Sequence, residues 1–188
     1  ELEKGKPPQV SACPFVLAAD RPPAEAAAAW LRLIDKDEKA LADADIQIRT
    51  AALLARGDVG EDPMRKVFEQ LAYRAGTTGL DVLYRVVDEH PDSSAAERAT
   101  PVLYQQSIAG RASPALTVTL DIRRMNCARK FRQFHKAGVA GDLRTLRELE
   151  KLQPPGCVVR KGECCFKDDP KLEASLAELR ARESAAGK

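Results

Sequence analysis

The amino-acid sequence predicts an all-α fold, either a short alpha-solenoid or a helical bundle of about nine helices, with a cysteine-stapled C-terminal segment. Stretches of strong helix formers carry apolar residues three or four positions apart, and most of them are bounded by proline or glycine. The stretch with strand-like residues, at positions 117–120, follows a Ser-Pro pair that is typical of a helix start. These observations favour helices throughout and argue against a sheet.

The first part of the chain changes character after the early prolines. Residues 1–23 contain five prolines and lack helical periodicity, so we expect an extended Pro-rich lead-in there. The alanine-rich segment that follows places Trp30, Leu33, Ile34 and Leu41 on one stripe. This spacing predicts a first helix from residue 24 onward, with its apolar stripe buried against its neighbours.

Later segments show the same pattern with clear start and stop residues. The segment at 45–57 ends in Gly57, and the segment at 61–76 has Asp62 as its expected N-cap and Pro63 in its first turn. The remaining predicted helices cover residues 77–91, 92–110, 113–126, 127–141, 142–155 and 168–182. We expect a helical-repeat domain over 24–153, with residues 154–188 forming a cysteine-rich loop and a C-terminal helix packed on the same domain.

Helices this short are marginal in isolation, so their apolar stripes are expected to form a shared core. The predicted core residues are Leu33, Ile34, Leu53, Phe68, Leu71, Leu83, Leu103, Leu120, Phe131, Leu146 and Leu149. The aromatic residues Trp30, Tyr73, Tyr84 and Tyr104 are interpreted as packing residues, not as a surface for ligand stacking.

Composition excludes several classes of function. The chain has 30 basic and 28 acidic residues among 188, so no global field attracts nucleic acid or an anionic membrane. No run approaches the roughly 18 apolar residues that a membrane helix needs, so we expect no membrane insertion within this chain. Because the chain begins with Glu1 instead of Met, we expect it to be a piece of a longer protein.

Two stretches resemble a known class of helical regions. "TTGLDVLYRVVDEHPDSSAAERATPVL" (77–103) resembles a HEAT-type helix pair. "SPALTVTLDIRRMNCARKFRQF" (113–134) and "GDLRTLRELEKLQPPGCVVRKGECC" (141–165) are similar to C-terminal regions of some bacterial Hanks-type serine/threonine kinases and related signalling proteins. The sequence contains no HRD or DFG motif and no glycine loop followed by a lysine strand. The resemblance therefore implies a HEAT-like, non-catalytic appendage of a signalling protein.

The cysteines admit more than one chemistry. Four thiolates, at Cys127, Cys157, Cys164 and Cys165, suffice in number for zinc, but adjacent Cys164 and Cys165 do not have the spacing of a zinc ribbon. No CxxC motif indicates a redox catalyst. We expect two disulfides, with Cys157 bonded to one of Cys164 and Cys165 and Cys127 to the other, and Cys13 as a free thiol.

Persistent disulfides imply an oxidising compartment, so the chain is expected in the periplasm or outside the cell. The alternative is a cytoplasmic protein with five reduced cysteines. We expect no metal and no other cofactor.

The stretch at 121–136 is rich in basic residues. Its cations scatter around a helical wheel, which favours a solvated, partner-facing surface over a nucleic-acid or phosphate site, although the latter stays an alternative. The residues assigned to partner binding are Arg123, Arg124, Arg129, Lys130 and Arg132.

No catalytic constellation is evident in the sequence. No GxSxG motif is present, and neither histidine has a recognisable partner. The function predicted is therefore that of a non-catalytic protein-interaction or sensor module, with a protein partner expected and a small-molecule ligand as a further option. The competing hypothesis is an enzyme with scattered Asp, Glu and Arg in a helical cleft.

Overall fold

A computed structural model describes residues 22–158 and 164–186, without the side chains of Glu38, Ala109 and Ala186. Every regular element in these ranges is helical, which confirms the predicted all-α class for the described part of the chain. The chain divides into two compact units, one ending at Leu103 and the other beginning at Tyr104. The domain boundaries expected at residues 23 and 153 stay predictions. Most of the predicted lead-in, including Cys13, lies outside the described residues.

The first unit is built around one central helix. Its elements are α1 (Pro23–Lys36), a 3-10 turn (Glu38–Ala42), α2 (Ala44–Ala55), α3 (Glu61–Glu69), a π turn (Gln70–Arg74), α4 (Gly76–Glu89) and α5 (Ser94–Leu103). Helix α4 contacts α2, α5 and the π turn. Its inward residues Leu80, Leu83 and Tyr84 are buried, as their spacing predicts.

A buried polar contact joins α1 to α2. The indole Nε1 of Trp30 donates to Thr50 Oγ1 over 2.8 Å, and that hydroxyl donates to the carbonyl of Ile46 over 2.6 Å. Trp30 and Thr50 are both 0% exposed. Every polar atom of the pair is therefore satisfied, which a buried indole requires.

Helix α3 and the π turn correct two expectations. The helix begins at Glu61 with Gly60 as its N-cap at φ 85°, so Asp62 is not the cap. Further on, Ala75 N–H donates to the carbonyl of Gln70, five residues earlier, over 2.9 Å. This wider turn changes the helical phase. Tyr73 lies outside the core at 54% exposure, and its assignment as a packing residue is wrong.

The π turn approaches α4 closely at Gly79. A Cβ atom on Gly79 would lie 2.2 Å from the carbonyl oxygen of Leu71 and 2.8 Å from Ala75 Cβ. Gly79 and Leu71 are both buried. The absence of a side chain at Gly79 therefore sets the distance between these two segments.

The second unit contains the remaining helices. They are α6 (Gln106–Ala109), α7 (Pro114–Arg124), α8 (Cys127–Lys130), a 3-10 turn (Phe131–Gln133), α9 (Phe134–Ala140), α10 (Leu143–Glu150) and α11 (Pro170–Ala186). Helix α9 contacts α7 and α11, and α10 contacts both of those helices as well. The strand-like residues at 117–120 lie inside α7, where Val118 is completely buried.

A buried hydroxyl pair links α7 to α10. Asp142 N–H donates to Thr145 Oγ1, which lies 2.7 Å from Thr119 Oγ1, and Thr119 in turn donates to the carbonyl of Ala115. Since Thr119 uses its proton on Ala115, Thr145 is the donor of the pair. The same threonine completes a capping box with Asp142 at the start of α10.

The predicted core is confirmed at most positions. Buried members are Ile34, Leu53, Phe68, Leu71, Leu83, Leu103, Leu120, Leu146 and Leu149. Leu33 is half-buried. Phe131 is 42% exposed and is not a core residue. The predicted helix over 127–141 is divided into α8, a 3-10 turn and α9. Phe134, three residues later, occupies the core at 0% exposure.

Candidate functional site

The cysteine segment of the second unit brings four of the predicted residues together. Cys127, the first residue of α8, has its Cα atom 5.1 Å from that of Cys164. The Cα atoms of Cys157 and Cys165 are 5.8 Å apart. Both pairs are at disulfide-bonding distance. The arrangement is one of the two that the sequence left open.

The residues next to the cysteines anchor this segment to the core of the unit. Phe166 N–H donates to the carbonyl of Leu152 over 2.8 Å. The Phe166 ring meets Phe134 edge-on, with ring centroids 5.2 Å apart. The Cys127–Cys164 pair therefore connects α8 to a segment that already rests on α9, and the Cys157–Cys165 pair lies within that segment. Within residues 22–158 and 164–186, no group of three or more His, Cys, Asp and Glu side chains could hold a metal ion.

The five basic residues assigned to partner binding do not share one surface. Arg123 is partly buried, with its guanidinium 3.9 Å from Glu148, and the exposed Arg124 pairs with Asp121 at 3.2 Å. Lys130 is buried and donates to the carbonyl of Ile122. Only Arg129 and Arg132 are exposed without a carboxylate partner among the described residues.

Several titratable groups surround Glu148, which is 7% exposed. Its carboxylate accepts from Lys151 Nζ over 2.7 Å. Burial lowers the pKa of Lys130, and the negative charge of Glu148 partly offsets that shift. Burial raises the pKa of Tyr104; the positive charge of Arg123 partly offsets this shift, and the negative charge of Glu148 adds to it. This arrangement is that of a paired interior carboxylate, which stabilises the cations around it.

The shifted pKa of Lys130 predicts a pH-dependent stability. The unfolded lysine titrates near 10.5 and the folded one lower, so between these values the unfolded chain holds more protons and stability rises with pH. A Lys130→Met variant lacks this rise. The free energy of unfolding of the variant minus that of the wild type is therefore expected to fall between pH 7 and pH 10.5.

Urea unfolding followed by circular dichroism at several pH values measures this difference. Above about pH 10, Tyr104 makes the free energy of unfolding fall with pH, because its pKa is raised and its hydroxyl stays protonated longer in the folded chain than in the unfolded chain. The comparison of variant with wild type cancels that contribution. Lys171→Met, at an exposed position of α11, is the control. A pH-independent difference for Lys130→Met would contradict the buried environment of this amine.

An exposed face of α8, the 3-10 turn and α9 combines cations with large apolar side chains. We call it the basic face and define it by Arg129, Phe131, Arg132, His135, Lys136 and Val139, all exposed. Phe131 and Val139 are 42% and 63% exposed. No Asp or Glu occurs in the sequence from 122 to 141. The face therefore presents positive charge around an apolar centre.

Sequence reasoning missed three members of this face. It gives His135 and Lys136 no role beyond membership of a basic helix, and it does not single out Val139. Leu143, at the start of α10, is 42% exposed and was missed as well. The signal was the four-residue spacing of Phe131, His135 and Val139, which places all three on one side of a helix.

Searches for similar proteins gave no match to any protein-family model, curated protein or solved structure. The candidate site is therefore argued from its own geometry. Among the described residues, no helix is both long and apolar enough to cross a membrane.

Proposed function

We propose that this chain is a non-catalytic helical module that binds another protein on behalf of a bacterial signalling protein. One observation carries the proposal: the basic face exposes Phe131, in the 3-10 turn, and Val139, in α9, on a surface where only polar side chains would otherwise be expected. Exposed large apolar groups set among polar ones are typical of protein-binding surfaces.

Two further observations support the finer parts of the proposal. Helices α4 and α5 contact each other across a short connection, as the two helices of a HEAT-like pair do. The two cysteine pairs at disulfide-bonding distance favour an oxidising compartment, so we place the module in the periplasm or outside the cell.

Site-specific photo-crosslinking in intact source cells tests the binding function. A benzophenone amino acid at Val139 is expected to give one dominant crosslinked protein, because the side chain is exposed at the centre of the proposed interface. The same amino acid at Ala174, exposed on α11, is the matched control. Equal crosslinking from both positions, or none from Val139, would contradict the proposed function.

A further inference from the structure

We infer that the basic face binds an acidic segment of the partner protein, with apolar side chains of that segment on Phe131 and Val139 and its carboxylates on Arg129, Arg132 and Lys136. This inference rests on the proposed function and names the chemistry of the partner.

The apolar part of the face forms a short ridge. Phe131, His135 and Val139 follow one another at four-residue intervals along the 3-10 turn and α9. Leu143, just beyond the end of α9, is a further exposed apolar side chain. The ridge matches the spacing of apolar side chains on one face of a partner helix.

The cations flank this ridge. Arg129, Arg132 and Lys136 follow one another at intervals of three and four residues, and none of them pairs with a carboxylate within the described ranges. The Arg132 guanidinium lies 5.8 Å from the centre of the Phe131 ring. At the other end of α9, Arg182 donates to the carbonyls of Gly138 and Val139. Among the described residues of the unit, these charges have no carboxylate partner, and we expect carboxylates of a second protein to pair with them.

Carboxylates near the face lie at its edge. Glu178 of α11 approaches Gly138, on the side of α9 that packs against the core, where a Cβ atom would lie 2.4 Å from Glu178 Oε2. Asp142 is held by Arg144 at 2.6 Å and by the capping box of α10. Neither carboxylate neutralises the three unpaired cations.

The face is held rigid from beneath. Phe134 and Ala137, on the opposite side of α9, are completely buried, and the Lys130 amine is fixed to the carbonyl of Ile122. Cys127, the first residue of α8, lies at disulfide-bonding distance from Cys164. A preorganised surface loses less conformational entropy on binding, which favours affinity for a complementary segment.

The side chains on the ridge argue for a protein partner over the other anionic classes. Of the large apolar side chains there, Phe131 alone offers a base an aromatic plane, and Val139 and Leu143 are aliphatic, whereas single-stranded nucleic acid stacks successive bases on several such planes. Three apolar side chains are also few compared with the continuous apolar face of an interfacial membrane helix. An acidic, amphipathic protein segment uses every group on the face.

The test uses a synthetic amphipathic peptide with Leu and Phe four residues apart and glutamates on both sides of that stripe. Titration into the ¹⁵N-labelled full chain is expected to shift the amides of residues 129–139, with binding weakened by salt. The same peptide with glutamine in place of glutamate is expected to bind at least about fivefold more weakly. Equal binding of both peptides would overturn the inference.

Matched variants locate the site. Arg132→Glu/Lys136→Glu is expected to weaken binding about tenfold, and Phe131→Ala about three- to tenfold. Lys66→Glu, a charge reversal at an exposed position of α3 in the first unit, is expected to change affinity less than about twofold. An equal loss with Lys66→Glu would indicate non-specific attraction and overturn the site. Circular dichroism checks that each variant is folded.

Two further probes separate the alternatives. A fifteen-residue oligothymidine and phosphatidylglycerol vesicles are titrated under the same conditions. If either shifts the basic-face amides while the acidic peptide does not, the protein-partner inference is wrong. The photo-crosslinking at Val139 is repeated in the Arg132→Glu/Lys136→Glu variant. If the crosslinked protein is still obtained, the proposed function is retained and only the inference of an acidic partner segment is wrong. Loss of crosslinking in that variant supports both.

Discussion

A Gly79→Ala variant is expected to lower the free energy of unfolding of the first unit by about 2 kcal/mol, although alanine is the better helix former by ~1 kcal/mol. The added Cβ would lie 2.2 Å from the carbonyl oxygen of Leu71. That atom belongs to the backbone of a buried segment, so it cannot rotate away as a side chain can. Either α4 or the π turn must move, and both pack against the core.

Gly110→Ala is the matched control for this substitution. Gly110 has φ −69° and no atom within 4 Å of the Cβ position, so alanine fits without strain. The control is expected to be neutral or to stabilise by roughly 0.5 kcal/mol, through the lower entropy of the unfolded chain. Chemical denaturation of both variants measures the contrast. A Gly79→Ala variant as stable as the control would mean that α4 does not approach Leu71 this closely.

Helix α4 and the π turn before it show where prediction from sequence succeeded and where it failed. Apolar spacing placed the inward residues of α4 correctly, because a regular helix keeps one phase over its whole length. In the π turn the helix is wider than an α-helix, and Tyr73, which was predicted to pack in the core, is exposed. Nothing in the residues at 70–74 marks a π turn, because the turn differs from an α-helix only in its backbone hydrogen bond.

The sequence located the cysteine cluster and two cations of the basic face, Arg129 and Arg132, but it placed Phe131 in the core and Lys130 on the surface. In the structure, Phe131 is 42% exposed and Lys130 is buried. Lys130 donates to the carbonyl of Ile122 on α7, and Cys127 lies at disulfide-bonding distance from Cys164. Both contacts reach outside residues 127–141, so the spacing within that segment does not reveal them. The pairing of the cysteines was easier to predict from the sequence, because four cysteines allow only three pairings.

Removing the Cys127–Cys164 pair is expected to have the largest effect on stability. A Cys127→Ser/Cys164→Ser variant should lose about 3 to 4 kcal/mol, because its bond closes a loop with a sequence separation of 37. Cys157→Ser/Cys165→Ser removes a bond with a sequence separation of only 8 and should lose about 2 to 3 kcal/mol. Urea unfolding of the oxidised proteins gives both values. Equal losses would contradict the order set by loop length, and no loss in either variant would contradict the bonds themselves.

Mass spectrometry identifies the bonds independently of stability. Under non-reducing conditions, tryptic cleavage after Arg124, Arg129, Lys151, Arg160, Lys161 and Lys167 should leave three peptides joined as one species, because adjacent Cys164 and Cys165 lie on a single fragment. Fragmentation should place Cys127 on Cys164 and Cys157 on Cys165. If all five thiols of the folded protein alkylate freely, the disulfides and the oxidising compartment are both wrong. Protection that disappears with a chelator would instead assign the four cysteines to zinc.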